Sequence, residues 1–344
     1  MRGARRSRET QRAGTTRLRS RYLFIRILEA CNADCFMCGY ALSRDTYRFS
    51  PEEFRELLPL ADQVSVRFVR FTGGEPLMHR DIVELVRLGS EYGMKMSLIT
   101  NGLLLPRMIE RLAQVGLDHV VVSIDGASAS THDAYRRSRG AFDSGLAGLR
   151  KAIKLGVTTR VNSVVGPHNY AEMPALQQLL SETGVDQWEL SALKLERPIV
   201  YPDPGDVRKV CDPIYAENEA GLLIPLGKRF YGDTPVEQGL FFEKSITPRA
   251  SMPLCHVTDD VIYVDARQGR GYACSCISHR DPGGDRHGAT LRGETGWQLQ
   301  TAQFANHAAF YREHGPLACT GCSTTAAGYS DDVARLGEVP AWRH

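Results

Sequence analysis

The chain has 344 residues, of which 42% are hydrophobic and 24% charged, values typical of a globular protein with one large domain and a smaller one. No stretch approaches about 18 uninterrupted apolar residues, so we expect no membrane-spanning helix. The net charge of +2 is unevenly distributed, since eight arginines and one glutamate fall within the first 21 residues. We therefore expect a disordered basic tail over residues 1–20.

The same composition limits the compartment and the partners. Arg26 interrupts the first apolar stretch and no signal-peptide cleavage site follows it, so a cytoplasmic protein is expected. No basic face interleaved with aromatic residues follows the tail, so we expect no nucleic acid and no membrane among its partners. Nine cysteines in a reducing compartment favour metal-ligand or catalytic roles over disulfides.

From Tyr22 to about Leu195, short apolar runs alternate with amphipathic stretches, a pattern typical of repeated βα units. The strands are predicted at Tyr22–Leu28, Val66–Phe71, Met94–Ile99, Val120–Ile124, Thr159–Val165 and Trp188–Leu193. Helices are predicted after the N-cap Ser50 with Pro51 at its first position, and at Asp81–Tyr92, Pro106–Gln114, Phe142–Leu155 and Glu172–Thr183. Six units are too few for a closed eight-stranded barrel, so this α/β pattern favours a partial (β/α)6 TIM-like barrel.

Polar motifs follow the predicted strands, at the carboxyl ends where parallel barrels carry their chemistry. The first strand leads into a loop with Cys31, Cys35 and Cys38, and the second ends at Thr72-Gly73-Gly74-Glu75-Pro76. The next two end at Asn101-Gly102 and Ser123-Ile124-Asp125-Gly126. The two glycines allow a close backbone approach, and Glu75 can pair with an ammonium group. A tight turn is the alternative interpretation of this motif.

Three thiols within eight residues can wrap one small cluster, because thiolates are the usual ligands of iron–sulfur centres. Three ligands on a four-iron cube leave one iron open to a small molecule. The alternatives are a zinc site completed by a distant residue, or three unconnected thiols.

The segment Cys31-Asn32-Ala33-Asp34-Cys35-Phe36-Met37-Cys38 resembles the CxxxCxxC signature of the radical S-adenosylmethionine (SAM) enzymes. The resemblance implies a [4Fe–4S] cluster whose open iron binds SAM, and a SAM-derived radical that takes a hydrogen atom from a C–H bond. It implies the same open, partial barrel.

The resemblance also implies cofactor-binding residues at the strand ends. The predicted SAM contacts are Gly73, Gly74, Glu75, Asn101, Ser123, Arg136 and Asn162. Among them Glu75 is placed on the methionyl amine, and Arg136, in the segment His132-Asp133-Ala134-Tyr135-Arg136, on the carboxylate. A turn at Asn101-Gly102 and a solvated helix position for Arg136 remain the alternatives.

Glu189 is the predicted catalytic acid/base. It lies between Trp188 and Leu190 on the sixth strand, where burying a carboxylate is costly unless it forms an ion pair or has a functional role. Strand alternation places Glu189 and Ser191 on one face. The alternative is a buried ion pair with Lys194 or Arg160.

Beyond the barrel (residues 21–195), we expect a turn-rich connector over residues 196–250, a small α+β domain over 251–325 and a tail over 326–344. Cys255 and Cys274 flank a predicted hairpin at Val261–Asp265 and Tyr272–Ala273, and Cys319 and Cys322 follow. Four thiolates make a closed site, for which structural zinc is one interpretation. The spacing, with Gly269 between the first two cysteines, resembles the twitch module, a shortened SPASM domain, which implies a second [4Fe–4S] cluster. Cys276 and Cys211 receive no role.

The resemblance implies an enzyme that uses SAM and two [4Fe–4S] clusters on a sugar or nucleoside substrate. Radical 1,2-diol dehydration of a nucleoside-antibiotic intermediate is the expected reaction, with a flavodoxin or ferredoxin as the reductant. The alternatives are a dehydrogenase or epimerase of an aminoglycoside or aminocyclitol, a peptide-modifying enzyme, and a structural metal-binding protein.

Overall fold

The computed structural model describes residues 21–40, 43–193, 203–216, 223–224, 231, 261–272, 289–294 and 296–299. Parallel strands alternating with helices form its body. The strands are β1 (Tyr22–Leu28), β2 (Phe68–Gly73), β3 (Lys95–Thr100), β4 (Leu117–Ser123), β5 (Thr158–Val165) and β6 (Gln187–Ala192). The helices are α1 (Pro51–Gln63), α2 (Ile82–Glu91), α3 (Leu105–Gln114), α4 (Ala129–Arg136), α5 (Ala141–Lys154), α6 (Met173–Thr183) and α7 (Pro204–Ala216). None of these helices is long and apolar enough to cross a membrane.

Short strands complete the described part of the chain: β7 (Leu223–Ile224), β8 (Val261–Asp265), β9 (Arg270–Tyr272), β10 (Ala289–Thr290), β11 (Arg292–Gly293) and β12 (Gly296–Trp297). The main sheet has the order β10-β9-β8-β1-β2-β3-β4-β5-β6-β7, and β11 pairs with β12 separately. The strands from β8 through β1 to β7 are parallel, whereas β9 and β10 are antiparallel to their neighbours. Sequential parallel neighbours joined by helices confirm the predicted open barrel architecture.

The predicted elements agree with the structure to within a few residues, whereas α4 was not predicted and α7 lies in the segment expected to be a connector. The start of α1 is as expected, since Ser50 and Glu53 form a reciprocal capping box. The second strand begins later than predicted because Val66 belongs to the turn after α1, where its N–H donates to the carbonyl of Ala61. Helix α4 was not predicted because only His132 and Tyr135 along it are buried, which is too few for an apolar periodicity.

Each strand of the barrel has an apolar face and a more polar face. The apolar face packs against the helices and includes the fully buried Ile25, Leu98 and Trp188. The opposite face carries Arg70 and Asn162, among other polar residues. Parallel strands covered on both sides are usually apolar throughout, so a polar inner face indicates a barrel interior built for polar contacts.

The predicted hairpin is present as β8 and β9, with Tyr263 opposite Tyr272, and Ala273 lies outside the described residues. Its first strand pairs in parallel with β1, which places Asp265 beside Arg26. The Arg26 guanidinium donates to the Asp265 carboxylate and forms a buried ion pair across the two strands. The division into separate domains beyond the barrel stays a prediction.

Candidate functional site

The loop that follows β1 carries three free cysteines on the carboxyl edge of the sheet. Cys35 is buried, Cys31 is half-buried and Cys38 is exposed. The loop is fastened to α4 by an edge-to-face contact between Phe36 and Tyr135, whose ring centroids are 5.0 Å apart. Burial raises the pKa of the Cys31 and Cys35 thiols, so an electrophilic partner would be needed to hold them as thiolates.

Gly73 and Gly74 bring the end of β2 against the start of the cysteine loop. A Cβ on Gly73 would lie 2.2 Å from the Leu28 carbonyl oxygen, and one on Gly74 would lie 2.1 Å from that of Ala30. The N–H groups of Gly74 and Glu75 donate to these same two carbonyls. The close approach expected of the two glycines is therefore made to the chain's own backbone, and their contact with SAM stays a prediction.

Glu75 is a buried anchor, only 1% exposed, between this turn and β3. Its carboxylate accepts hydrogen bonds from the Leu77 N–H, the Thr100 hydroxyl and the Asn101 N–H at 3.0, 2.7 and 2.7 Å. Burial raises the pKa of Glu75, and these three donors oppose the rise. A carboxylate has roughly four acceptor positions, so a ligand ammonium at Glu75 stays a prediction that the hydrogen bonding permits.

Asn101 links β3 to the cysteine loop. Its Nδ2 donates to Asn32 Oδ1 at 2.8 Å and lies 3.8 Å from Cys31 Sγ, whereas its Oδ1 accepts from the Leu103 N–H at 3.0 Å. The turn interpretation is therefore confirmed, because one end of the amide closes the turn, while the other end faces a thiol and its contact with SAM stays a prediction.

Arg136 lies in a buried ion pair, which rules out the solvated alternative. Its Nε donates to Asp125 Oδ2, and the two side chains are 13% and 0% exposed. Its Nη1 lies 4.0 Å from Cys35 Sγ. Burial alone would lower the pKa of Arg136, but Asp125 outweighs it and the pKa is raised, so a fixed cation faces Cys35.

Asp125 is the site residue that the sequence interpretation missed, although its motif had been noted. Its Oδ1 also accepts from the Val164 N–H at 2.7 Å, and its own N–H donates to His132 Nδ1 at 3.0 Å. Asp133 accepts from the N–H groups of Gly140 and Phe142 at the start of α5. His132 therefore supports the strand end and Asp133 the start of α5, while Tyr135 and Arg136 of this motif reach the cysteine loop.

Three of the predicted residues lie in one row on the polar inner face. Ser123 on β4, Asn162 on β5 and Glu189 on β6 are neighbours in register. The Ser191 hydroxyl donates to Asn162 Oδ1 at 3.2 Å. Glu189 Oε2 lies 3.6 Å from Arg160 Nη1, with 25% of the Glu189 side chain exposed. One of the two ion pairs considered as alternatives is therefore present, Lys194 lies outside the described residues, and the catalytic role of Glu189 stays a prediction.

A second group of polar side chains, which the sequence interpretation did not single out, lies deeper on this face. Arg70 Nε donates to Ser97 Oγ at 3.1 Å, and Ser97 Oγ lies 2.9 Å from His119 Nδ1. The available signal was the alternation of polar with apolar residues along these strands. A cavity of about 370 Å³ opens beside His119, at the amino ends of β3 to β5 and so at the end of the barrel opposite the cysteine loop.

The donor chemistry of the loop fits an iron–sulfur cluster, since three free thiols share eight residues. As placed, no three Cys, His, Asp or Glu side chains in the described ranges are gathered tightly enough to hold a metal ion. The loop would therefore have to draw its thiols together around a cluster. Cys255, Cys274, Cys276, Cys319 and Cys322 lie outside the described residues. Cys211 is buried in the core, and burial raises its pKa to about 12.

Comparisons with sequences of known proteins give a family and partial relatives. Residues 25–180 match the family model of the radical SAM superfamily. The AdoMet-dependent heme synthase of Methanosarcina barkeri is 32% identical over 157 residues, which are 45% of this chain and 45% of that protein. A probable GTP 3',8-cyclase of Saccharolobus solfataricus is 33% identical over 176 residues, which are 50% of this chain and 56% of that protein. The chain thus spans about half the length of these relatives.

Solved structures share the fold at low sequence identity. SuiB of Streptococcus suis bound to S-adenosylmethionine aligns with a TM-score of 0.62 and 17% identity, covering 88% of this chain and 67% of SuiB. The protein anSMEcpe with bound AdoMet aligns with a TM-score of 0.57 and 16% identity, covering 86% of this chain and 81% of that one. With the cysteine loop at the expected strand end, residues 25–180 form the part of this chain that matches the radical SAM superfamily.

Proposed function

We propose that this protein is a cytoplasmic radical SAM enzyme that removes a hydrogen atom from a polar, oxygen-rich small molecule. The observation that carries the proposal is the row of Ser123, Asn162 and Glu189 on the inner face of the barrel. Beside the SAM contacts predicted for Ser123 and Asn162, these hydroxyl, amide and carboxylate groups can hydrogen-bond to the hydroxyls of a sugar, whereas an apolar substrate would leave their remaining donors and acceptors unsatisfied.

The cysteine loop has the donors for the cofactors. Cys31, Cys35 and Cys38 would hold a [4Fe–4S] cluster, and the strand-end groups around Glu75 would hold SAM. When bound, the cluster and SAM would supply the radical that takes the hydrogen atom. We further propose a second [4Fe–4S] cluster on Cys255, Cys274, Cys319 and Cys322, and a flavodoxin or ferredoxin as the reductant.

The reaction that suits these residues best is radical 1,2-diol dehydration. Loss of a hydrogen atom from a hydroxyl-bearing carbon makes its O–H more acidic, so Glu189 would take that proton and pass it to the neighbouring hydroxyl, which leaves as water. The carbon radical that remains would take one electron from the proposed reductant and one proton from solvent. The Arg160 guanidinium lies 3.6 Å from the Glu189 carboxylate and holds it on the inner face of the barrel. Cytosylglucuronic acid, a sugar acid of blasticidin biosynthesis, is the specific substrate that we propose.

The test is an anaerobic incubation of the iron-reconstituted protein with SAM, a reductant and a panel of nucleosides, sugar acids and aminosugars. We expect 5'-deoxyadenosine and a product 18 mass units lighter than its substrate, since dehydration removes water. A substrate deuterated at the reacting carbon should pass its label to 5'-deoxyadenosine. A product two mass units lighter would indicate dehydrogenation, and one of unchanged mass would indicate epimerisation. Zinc in place of iron would exclude the radical reaction.

A further inference from the structure

Two of the three loop thiols face a side-chain N–H donor supplied by another element of the barrel. Asn101 Nδ2, after β3, lies 3.8 Å from Cys31 Sγ. Arg136 Nη1, at the end of α4, lies 4.0 Å from Cys35 Sγ. Both distances are within the range of weak hydrogen bonds to sulfur, which is larger and less electronegative than oxygen.

Each donor is held in place by a buried carboxylate. Glu75 accepts from the Asn101 N–H and the neighbouring Thr100 hydroxyl, both at 2.7 Å, and so fixes the backbone from which the amide projects. Asp125 accepts from Arg136 directly and from the Val164 N–H, which fixes the guanidinium. Both donors are therefore held in place before the loop draws its thiols together around a cluster.

Hydrogen bonds and positive charge at ligand sulfurs are among the factors that set the reduction potential of an iron–sulfur cluster. An added electron makes the cluster more negative, so a cation or an N–H dipole aimed at a thiolate stabilises the reduced state more than the oxidised one. Arg136 carries a full charge and Asn101 only a dipole, so the arginine should have the larger effect.

We propose that Arg136 and Asn101 raise the reduction potential of the loop cluster by donating to the sulfurs of Cys35 and Cys31. Glu75 and Asp125 act as positioning residues for these two donors. The proposal rests on the proposed function, because it requires a cluster on the loop. It gives Arg136 a task that is present before SAM binds, in contrast to neutralisation of the SAM carboxylate.

The test is a redox titration of the reconstituted protein without SAM, followed by electron paramagnetic resonance. The signal that Cys38→Ala removes identifies the loop cluster. Arg136→Gln should shift the one-electron equilibrium toward the oxidised state about tenfold, which is about 59 mV. Arg136→Lys should keep the reduction potential close to that of the parent, because it keeps the positive charge. Arg139→Gln removes an exposed arginine three residues away and should leave the potential unchanged.

Asn101→Asp provides an independent arm, because it keeps the acceptor for the Leu103 N–H but replaces the donor to Cys31 with a negative charge. It should lower the potential as well. If Arg136→Gln fails to fold, the lysine and Asn101 variants decide the matter. If the variants carry the cluster and its reduction potential is unchanged, this inference is wrong and the proposed function stands. The same holds if the variants lose only affinity for SAM. A parent protein without iron overturns the proposed function together with it.

Discussion

Two buried polar regions of the barrel are built on opposite principles. At the upper rim, formed by the cysteine loop and the carboxyl ends of β2 to β4, the buried groups are the carboxylates Glu75 and Asp125. In the lower layer, formed by Arg70, Ser97 and His119, a buried cation contacts a hydroxyl and an imidazole. Burial, followed by the charge of Arg160, lowers the pKa of Arg70 well below its usual value, and burial lowers that of His119 likewise.

The difference shows what each region can do. The rim carboxylates hold N–H groups that face two loop thiols, so their hydrogen bonds connect the scaffold to a ligand site. The lower layer connects strands to one another across the inner face, and Arg160 and Glu189 lie between the two regions. Changes to the loop thiols and to Glu189 should therefore affect chemistry first, whereas changes to the buried groups that support the rim, such as Asp125, should affect stability first.

The largest expected effect is at the loop itself. Replacing Cys31, Cys35 or Cys38 by Ala should abolish 5'-deoxyadenosine formation, because two thiolates cannot hold the cluster. The iron of the second, distal cluster should remain, as iron and sulfide analysis would show. Cys211→Ala removes a buried thiol from the core and serves as the control, which should still cleave SAM. Undiminished 5'-deoxyadenosine from any loop variant contradicts the assignment.

Glu189→Gln tests the position between the two regions. It keeps the side-chain shape but cannot take a proton, so product formation should fall by about 10²–10⁴-fold, while 5'-deoxyadenosine still forms. Glu182→Gln, at an exposed position of α6, is the matched control. A product rate within about threefold of the parent, together with a loss of thermal stability, would show that Glu189 serves only its ion pair with Arg160.

Asp125→Asn tests the rim framework. It leaves the Arg136 guanidinium buried without its counter-charge, and removing one partner of a buried ion pair typically costs about 3–5 kcal/mol of unfolding free energy. Asp62→Asn breaks the pair with Arg67, whose side chains are 52% and 56% exposed, and should cost at most about 1 kcal/mol. Urea unfolding of both variants measures the contrast, and equal costs would contradict it.

His132 makes the rim sensitive to acid. Burial lowers its pKa from 6.5 to about 4, so between these values protons bind preferentially to the unfolded state. Stability should be full above about pH 6.5 and fall by up to about 3 kcal/mol as the pH approaches 4.

The measurement for His132 is urea unfolding across that pH range. His132→Asn keeps an acceptor for the Asp125 N–H without titrating and should flatten part of the slope. The buried His119 contributes a slope of the same sign, so some pH dependence should persist in this variant. Replacement of the exposed His168 is the control. Identical slopes in the parent and His132→Asn would contradict this account.

The smallest expected effect concerns the contact between β2 and the loop. A Cβ on Gly74 would lie 2.1 Å from a backbone oxygen that cannot easily move, so Gly74→Ala should cost about 1–3 kcal/mol. Gly39→Ala adds the same methyl group to the cysteine loop at a position where nothing lies within 4 Å, and its effect on stability should be close to neutral. If the two variants have the same midpoint of thermal unfolding, the backbone around Gly74 shifts to accommodate the added methyl group and this prediction is wrong.

The sequence by itself determined the order of strands and helices, the capping box at Ser50 and the placement of the cysteine loop at the end of β1. These features are local, because apolar periodicity, cap residues and cysteine spacing act over a few residues of the chain. The family followed from the same local signals, since its signature is contained in Cys31–Cys38. The row of Ser123, Asn162 and Glu189 was also foreseeable in part, because strand alternation fixes which residues share a face.

Only the tertiary structure decided which partners these side chains meet. Asp125 and Arg136 are eleven residues apart and pair because α4 ends beside the strand end that carries Asp125, whereas Glu75 and Asn101 are twenty-six apart and meet because parallel strand ends converge. The pairing of β8 with β1, which brings Asp265 to Arg26, joins segments 239 residues apart in the chain. Residue types and spacing carry no information on such distant neighbours, since burial and counter-charge exist only once the barrel has assembled.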